Sequence, residues 1–124
     1  MMTNSSKTIA VVEDDAGVRT ALEQLLRSAG FQALTFESAE AFLAHSDRSG
    51  VACLIADINL PGISGVDLIK RLGTNGNRLP AVLITGRRDA ETTELARQVG
   101  EIPRLYKPFS DAALFEVINV VMNR

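Results

Sequence analysis

The sequence predicts an α/β protein with a doubly wound parallel sheet of five strands and five helices, in the flavodoxin-like order 2-1-3-4-5. Apolar runs of strand length alternate with segments of helical period, which is typical of a parallel sheet with helical crossovers. Right-handed crossovers and a length of 124 residues make this order the usual one. Polar residues directly follow several of the apolar runs, as expected where a ligand binds at the carboxyl ends of the strands.

The first two strand–helix units occupy the first third of the chain. We expect the first strand at residues 9–12 and the first helix at 16–29, where apolar residues recur at helical spacing and Gly30 ends the pattern. Residues 32–36 form the second predicted strand. Ser38 is a favoured helix cap, so the second helix should begin there.

The third strand is predicted at residues 52–56, an apolar run typical of a strand that is buried on both faces. A loop rich in turn residues follows at 59–65, and the next helix has its apolar residues between 66 and 72. Residues 73–77 form a polar linker. The remaining elements are a strand at 81–84, a polar helix at 88–99, a strand at 102–106 and a last helix from Ser110 to residue 122.

Length and composition indicate one globular domain over residues 1–124. Hydrophobic residues make up 46% of the chain and charged residues 23%, which argues against disorder. A net charge of −2 gives no electrostatic reason for nucleic-acid binding. Residues 1–7 are polar and are predicted to be a flexible extension, and no apolar run approaches membrane-spanning length. The single cysteine, Cys53, is expected to be a buried free thiol, and one thiol cannot form an internal disulfide, which fits a reducing compartment. With no signal-type or membrane-spanning run, we predict a soluble cytoplasmic protein.

Five polar residues follow strand-like runs, and a parallel sheet would gather them at one edge. They are Asp14, Asp15, Asp57, Thr85 and Lys107. Because the carboxyl ends of parallel strands meet at the same edge, three carboxylates, a hydroxyl and an ammonium should lie close together. Such a set suits a divalent cation and a phosphoryl group.

The adjacent acids Asp14 and Asp15 fit two interpretations. One of them could simply cap the following helix, since aspartate is a favoured cap and complements the helix dipole. Two acids facing a third at Asp57 would instead repel one another unless a cation is bound. Mg²⁺ is the natural candidate, because it prefers oxygen ligands and is usually held by one or two carboxylates together with phosphate oxygens.

Asp57, Thr85 and Lys107 could carry phosphoryl chemistry. An aspartate carboxylate can attack phosphorus and form an aspartyl phosphate, although a turn residue at a strand end is the plainer interpretation of Asp57. The plainer interpretations of Thr85 and Lys107 are a strand end and a solvated side chain. Pro108 restricts Lys107 to extended geometry and allows a cis bond in a tight turn. The ammonium would then stay over the sheet edge, pairing with Asp57 before phosphorylation and with phosphoryl oxygens after it.

These motifs resemble the receiver domain of bacterial two-component response regulators. The resemblance rests on Asp14-Asp15, Asp57 with Leu60-Pro61-Gly62-Ile63-Ser64-Gly65, Leu83-Ile84-Thr85-Gly86 and Lys107-Pro108-Phe109. It runs through essentially the whole chain. Residues 37–43 and the Thr85-Gly86 pair are similar to the FixJ-like group.

The resemblance implies a phospho-accepting signalling domain. Asp57 would take a phosphoryl group from a histidine kinase or a histidine phosphotransfer protein, and Thr85 and Lys107 would contact it. The domain would catalyse only its own phosphorylation and dephosphorylation, so we expect no enzyme acting on outside substrates. Its altered conformation would control a partner or an output domain. The implied Mg²⁺ ligands are Asp14, Asp15, Asp57 and the backbone carbonyl of Asn59.

Two arginines near the predicted site need a separate account. Receivers carry an aromatic residue three positions before the lysine, where this chain has Arg104. An arginine cannot be buried in an apolar slot without a partner, so we expect phosphorylation to act through a different route. Arg87 follows the Thr85-Gly86 pair. It is either a solvated loop residue or a cation that reaches the phosphoryl site.

The last predicted helix is more apolar than one buried face needs. Val117 and Val120 extend its core stripe sideways. Either the stripe is wide, or this surface binds a partner. The predicted form of such binding is a homodimer through the fourth helix, fifth strand and fifth helix.

Three other functions share parts of this pattern. A haloacid dehalogenase-type phosphatase needs a second acid two residues after its nucleophile, where this chain has Asn59. A flavodoxin-type module needs a phosphate loop after the first strand, where Asp14 and Asp15 would repel a phosphate. A receiver-like interaction module that is never phosphorylated is the main alternative, since Arg104 departs from the usual switch.

Overall fold

The structure is a computed structural model that describes residues 7–45, 50–73 and 79–123. In these segments five strands form one parallel sheet in the order β2-β1-β3-β4-β5, and a helix follows each strand. The predicted fold class and strand order are confirmed. Residues 1–6 of the predicted extension and residues 74–77 of the predicted linker lie outside the described residues. The elements are β1 Thr8–Val12, α1 Ala16–Ser28, β2 Gln32–Phe36, α2 Ala39–Ala44, β3 Val51–Asp57, α3 Gly65–Gly73, β4 Ala81–Thr85, α4 Ala90–Arg97, β5 Arg104–Tyr106 and α5 Asp111–Met122.

All five helices in the described part of the chain begin where a side chain caps the first turn. Each capping oxygen accepts a hydrogen bond from the backbone N–H three residues later, which satisfies a donor that the helix itself leaves free. The caps are Asp15 for α1, Ser38 for α2, Ser64 for α3, Asp89 for α4 and Ser110 for α5. Because Asp89 is the cap, α4 begins at Ala90, two residues later than the sequence predicts. No helix in the described segments is both long enough and apolar enough to cross a lipid bilayer.

The sheet separates two apolar cores, because alternate residues of a strand face opposite sides. Helices α2, α3 and α4 cover one face, and α1 and α5 cover the other. The central strand β3 is buried on both faces, with Leu54 directed to the first core and Cys53 and Ile55 to the second. Both faces of β3 are therefore filled with apolar side chains, and its polar chemistry is confined to the strand end.

Cys53 should be unreactive in the folded protein. Its side chain is fully buried, and burial raises the pKa of the thiol to about 12, so the reactive thiolate is scarce. We expect no alkylation by iodoacetamide at mildly alkaline pH under native conditions and complete alkylation in urea, measured by intact mass. Rapid alkylation of the folded protein would contradict the packing of β3.

Candidate functional site

Polar side chains gather at the carboxyl edge of the sheet, over β1, β3, β4 and β5. Asp57 is the last residue of β3 and Thr85 is the last residue of β4. Glu13 directly follows β1, and Lys107 directly follows β5. Glu13 is fully buried, whereas Asp57 is 6% and Thr85 1% exposed. The structure therefore brings four of the sequence-predicted residues to one edge, namely Asp14, Asp57, Thr85 and Lys107.

Lys107 contacts two carboxylates at the centre of the site. Its Nζ lies 2.9 Å from Oδ2 of Asp57 and 2.8 Å from Oε1 of Glu13. Its main-chain N–H donates to the carbonyl oxygen of Thr85 over 2.8 Å, and the bond to Pro108 is cis. Burial alone would lower the pKa of Lys107, but hydrogen bonds to Glu13 and Asp57 outweigh it and raise the pKa above its ordinary value. The ammonium therefore stays charged between the two carboxylates at neutral pH.

Glu13 is a candidate site residue that the sequence patterns did not reveal. Its Oε2 accepts a hydrogen bond from the N–H of Asp15 over 3.0 Å. Its Oε1 lies 2.8 Å from the Lys107 ammonium, and no other donor of the described residues contacts it. Burial raises the pKa of Glu13, and the contacts with Lys107 and Asp15 offset only part of that rise. Its position could have revealed it, because Glu13 follows β1 as directly as Lys107 follows β5.

The acidic cluster consists of Glu13, Asp14 and Asp57, and the predicted ligand Asp15 is not among these three acids. One carboxylate oxygen from each of these three acids lies within 4.8 Å of the others, within the part of the chain that the structure describes. Asp15 is exposed, and its Oδ1 accepts from the N–H of Val18 over 3.0 Å. The carboxylate of Asp15 is therefore used to cap α1, and Glu13 takes its place in the cluster.

The chemistry of the cluster fits a divalent cation. Three carboxylates face one ammonium, and the ion pair with Lys107 is the one donor contact that the buried Oε1 of Glu13 makes among the described residues. A hard cation with oxygen ligands would offset this excess negative charge. The N–H of Asn59 donates to Oδ1 of Asp57 over 2.9 Å, which fixes the carboxylate that faces the cluster. That the backbone carbonyl of Asn59 binds a metal stays a prediction.

The hydroxyl of Thr85 is bonded to Asn59. Its Oγ1 donates to Oδ1 of Asn59 over 2.6 Å and accepts from the N–H of Arg87 over 3.1 Å. The other end of the same amide, Nδ2 of Asn59, donates to Oγ1 of Thr92 on α4 over 3.2 Å. The single proton of the Thr85 hydroxyl is thus committed to Asn59 in this state.

The residue in the usual aromatic position fills no apolar slot. Arg104 is exposed and lies beside Leu83 in the pairing of β5 with β4. Tyr106 lies beside Thr85 in the same pairing, and the guanidinium of Arg88 stacks over its ring at 3.8 Å. The aromatic ring of β5 is therefore covered by a cation rather than free beside the threonine.

Arg87 is directed to the start of α4. Its Nε lies 2.7 Å from Oδ2 of Asp89, and its side chain is 54% exposed. Of the two interpretations of Arg87, these contacts favour a loop residue.

On α5, Val117 packs against the core shared with α1, while Val120 is 49% exposed. A wide core stripe therefore accounts for Val117, and Val120 lies at the surface.

The strand order and the acids at the carboxyl edge together are those of a receiver domain. The sequence profile of the response regulator receiver domain matches residues 9–119, and the chain belongs to this family. The matched range includes the sheet from the second residue of β1 onward and all the residues of the acidic cluster. The resemblance inferred from the motifs is confirmed.

Relatives place the chain with the FixJ-like receivers. It is 36% identical over 110 residues to the transcriptional regulatory protein FixJ of Bradyrhizobium diazoefficiens, covering 89% of this chain and 54% of that protein. It is 32% identical over 121 residues to the response regulator protein TodT of Pseudomonas putida, covering 98% of this chain and 53% of TodT. The chain thus spans about half the length of the curated relatives it matches.

Solved structures agree with this placement. The response regulator StyR superposes with a TM-score of 0.84 at 39% identity, over 95% of this chain and 60% of that one. The structure of FixJ-N superposes with a TM-score of 0.84 at 33% identity, over 95% of this chain and 94% of that one. Both likenesses support the same receiver fold.

Asp15 and Glu13 should respond differently to substitution. Asp15→Ala removes a helix cap, so it should lower the free energy of unfolding by about 1 kcal/mol and leave Mg²⁺ affinity unchanged. Glu13→Gln removes a charge from the cluster and should weaken Mg²⁺ binding roughly tenfold. Urea unfolding and a Mg²⁺ titration followed by amide resonances measure the two effects. Weaker Mg²⁺ binding by Asp15→Ala alone would restore Asp15 to the site.

Proposed function

We propose that this chain is the phospho-accepting receiver of a two-component or phosphorelay system, in which Asp57 takes a phosphoryl group from a phosphohistidine. The donor is a histidine kinase or a histidine phosphotransfer protein, and phosphorylation shifts a conformational equilibrium that controls a partner or an output domain. The observation that supports this most is the Asp57 carboxylate. It is almost buried at the end of the central strand, with the Lys107 ammonium at one oxygen and the Asn59 N–H at the other.

The proposed transfer needs only the groups at this edge and the donor. A carboxylate oxygen of Asp57 attacks phosphorus, a phosphorus–oxygen bond forms, and the phosphorus–nitrogen bond to the donor histidine breaks. The donor ring carries a proton on its other nitrogen, so it leaves as neutral imidazole and the electron pair of the broken bond stays on the released nitrogen. Lys107 then exchanges its carboxylate contact for a phosphoryl oxygen, and Thr85 donates its hydroxyl proton to another.

Mg²⁺ is the proposed cofactor, and its ligands would be Glu13, Asp14, Asp57 and the backbone carbonyl of Asn59. When bound, it offsets the charge of the carboxylates and of the incoming phosphoryl group. The support for it is the charge balance of the site, in which Lys107 is the cation that contacts the acids among the described residues. Transfer should therefore require the metal.

The proposal also covers where the domain acts and what it binds. Residues 1–124 act as one cytoplasmic receiver that binds no nucleic acid by itself, turns over no outside substrate and catalyses only its own phosphorylation and dephosphorylation. The amide at Asn59, where a phosphatase of the haloacid dehalogenase type needs an acid, supports this restriction. The exposed Val120 supports a homodimer through α4, β5 and α5.

Incubation with acetyl phosphate and Mg²⁺, followed by intact mass spectrometry, tests the proposed function. We expect the wild type to gain the mass of one phosphoryl group and the Asp57→Asn variant to gain none. Asp67→Asn, which alters an exposed acid on α3, is the matched control and should gain the same mass as the wild type. A mass gain that survives in Asp57→Asn contradicts the assignment of the acceptor. A wild type that gains no mass from this donor or from a histidine kinase contradicts the function.

A further inference from the structure

A continuous line of side-chain hydrogen bonds joins the end of β4 to the first turn of α4. It starts at the Thr85 hydroxyl, passes through both ends of the Asn59 amide, and reaches the Thr92 hydroxyl. Thr92 lies in the first turn of α4, where its N–H donates to Oδ1 of the cap Asp89 over 2.8 Å. The line therefore connects the end of one strand with the cap of the helix that follows it.

We propose that Asn59 and Thr92 are positioning residues that hold the Thr85 hydroxyl before phosphorylation and transmit its movement to α4 afterwards. This inference rests on the proposed phosphorylation of Asp57. The proposal gives the side chain of Asn59 a role that is separate from the metal-binding role predicted for its backbone carbonyl.

Because the Thr85 hydroxyl has a single proton, it cannot donate to Asn59 and to a phosphoryl group on Asp57 at the same time. A hydroxyl has one proton to donate, and here it goes to Oδ1 of Asn59 over 2.6 Å. When Thr85 donates instead to a phosphoryl oxygen on Asp57, Oδ1 of Asn59 loses its donor. Asn59 is half-buried, and an amide oxygen that loses its donor there gains by finding a new one, so we expect the amide to turn.

Turning the amide changes the contact with α4. The two ends of the Asn59 amide are covalently linked, so Nδ2 cannot keep its bond to Thr92 while Oδ1 seeks a new donor. Thr92 is only 3% exposed, so its hydroxyl has little access to water as a replacement. The Thr92 N–H bond to Asp89 is also the main reason that the pKa of Asp89 is lowered. Movement of Thr92 therefore reaches the cap of α4 directly.

Strand β5 offers no equivalent route in this chain. Arg104 is exposed, and the ring of Tyr106 beside Thr85 lies under the guanidinium of Arg88. Among the described residues a second contact also joins Thr85 to the cap of α4, because the N–H of Arg87 donates to Thr85 Oγ1 and its Nε donates to Asp89. Thr85 is the acceptor in that contact, so the contacts through Asn59 are the ones that use the proton of the Thr85 hydroxyl.

Amide resonances of α4, recorded with and without Mg²⁺ and acetyl phosphate, test this relay. In the wild type we expect phosphorylation to shift the α4 resonances, the Thr85 resonance and the side-chain amide resonances of Asn59. In Thr92→Val, which removes the hydroxyl at nearly constant volume, the α4 shifts should be lost while the Thr85 shift and the phosphoryl mass gain remain. Thr92→Ser should restore the α4 shifts, because it keeps the hydroxyl.

Thr93→Val is the matched control, because it makes the same change at the next residue of α4, outside the line of hydrogen bonds, and it should behave like the wild type. Undiminished α4 shifts in phosphorylated Thr92→Val would overturn the relay and leave the proposed function intact. Unmoved Asn59 side-chain resonances in the phosphorylated wild type would overturn it as well, without any substitution. A wild type that gains no phosphoryl mass would overturn the proposed function and the relay together.

Discussion

The Lys107→Met variant should lose about 3 kcal/mol of its free energy of unfolding at neutral pH in the absence of magnesium. The substitution leaves the Glu13 and Asp57 carboxylates without the cation that contacts both. The Glu13 side chain is fully buried and that of Asp57 is 8% exposed, so water cannot replace the ammonium at either acid. This loss is at the lower end for a broken buried pair, because the Lys107 side chain is itself 22% exposed.

The stability difference between Lys107→Met and the wild type should grow as the pH rises. Burial raises the pKa of Glu13 in the folded protein, so the folded state binds more protons than the unfolded state above the unfolded pKa. The contribution of such a group to stability therefore falls as the pH rises from its unfolded pKa through its folded pKa. Removing Lys107 removes contacts that lower the folded pKa, which extends this window to higher pH.

Urea unfolding followed by circular dichroism at acidic, neutral and alkaline pH measures this effect. Lys70→Met is the control, because Lys70 is exposed and its Nζ donates a hydrogen bond to Gln98 rather than to an acid. The free energy of unfolding of this variant should be close to that of the wild type. Mg²⁺ should restore part of the stability of Lys107→Met, since the proposed metal site contains the same acids. A variant that is as stable as the wild type at neutral pH would contradict the account of the buried charges.

Gly65→Ala should lower the free energy of unfolding by about 3 kcal/mol, because Gly65, the first residue of α3, packs directly on the end of β3. A Cβ at this position would clash with the carbonyl oxygen of Asp57 and lie 2.9 Å from its carbonyl carbon. These are backbone atoms, so no side-chain rotation can relieve the contact. The end of β3 and the start of α3 must separate, which also displaces the Asp57 carboxylate.

Gly73→Ala is the matched control for Gly65→Ala, at the other end of the same helix. A Cβ at Gly73 meets nothing within 4 Å, so this variant should be neutral or more stable by about 0.5 kcal/mol. Urea unfolding gives both stabilities, and the rate of mass gain from acetyl phosphate reports on Asp57. Equal stability of Gly65→Ala and the wild type would show that α3 does not pack on β3 as described.

The fold could be predicted because local pattern and global topology agree. The apolar runs before Asp57 and Thr85 have strand length, and Ser38 and Ser110 are caps that a short window of sequence reveals. The same local logic places Asp57 and Thr85 at one edge of the sheet, since each ends a parallel strand. Boundaries were less accurate: β5 is Arg104–Tyr106, three residues where five were predicted.

The composition of the acidic cluster could not be predicted from adjacency alone. Asp14 and Asp15 form the more conspicuous pair, but the chain turns into α1 at this point and Asp15 becomes its cap. Glu13 is buried beside Lys107, which lies 94 positions away in the numbering but 2.8 Å away in space. The line from Thr85 through Asn59 to Thr92 likewise joins three separate elements, and no short window of sequence contains it.

The identity of the modified residue after phosphorylation is the most direct test of the central claim. Borohydride reduces an aspartyl phosphate to homoserine, so peptide mass spectrometry of the reduced protein locates the acceptor. The account predicts homoserine at position 57 and unmodified aspartate at positions 14 and 15. Homoserine at either of those positions, or its absence from position 57 in fully phosphorylated protein, would contradict it.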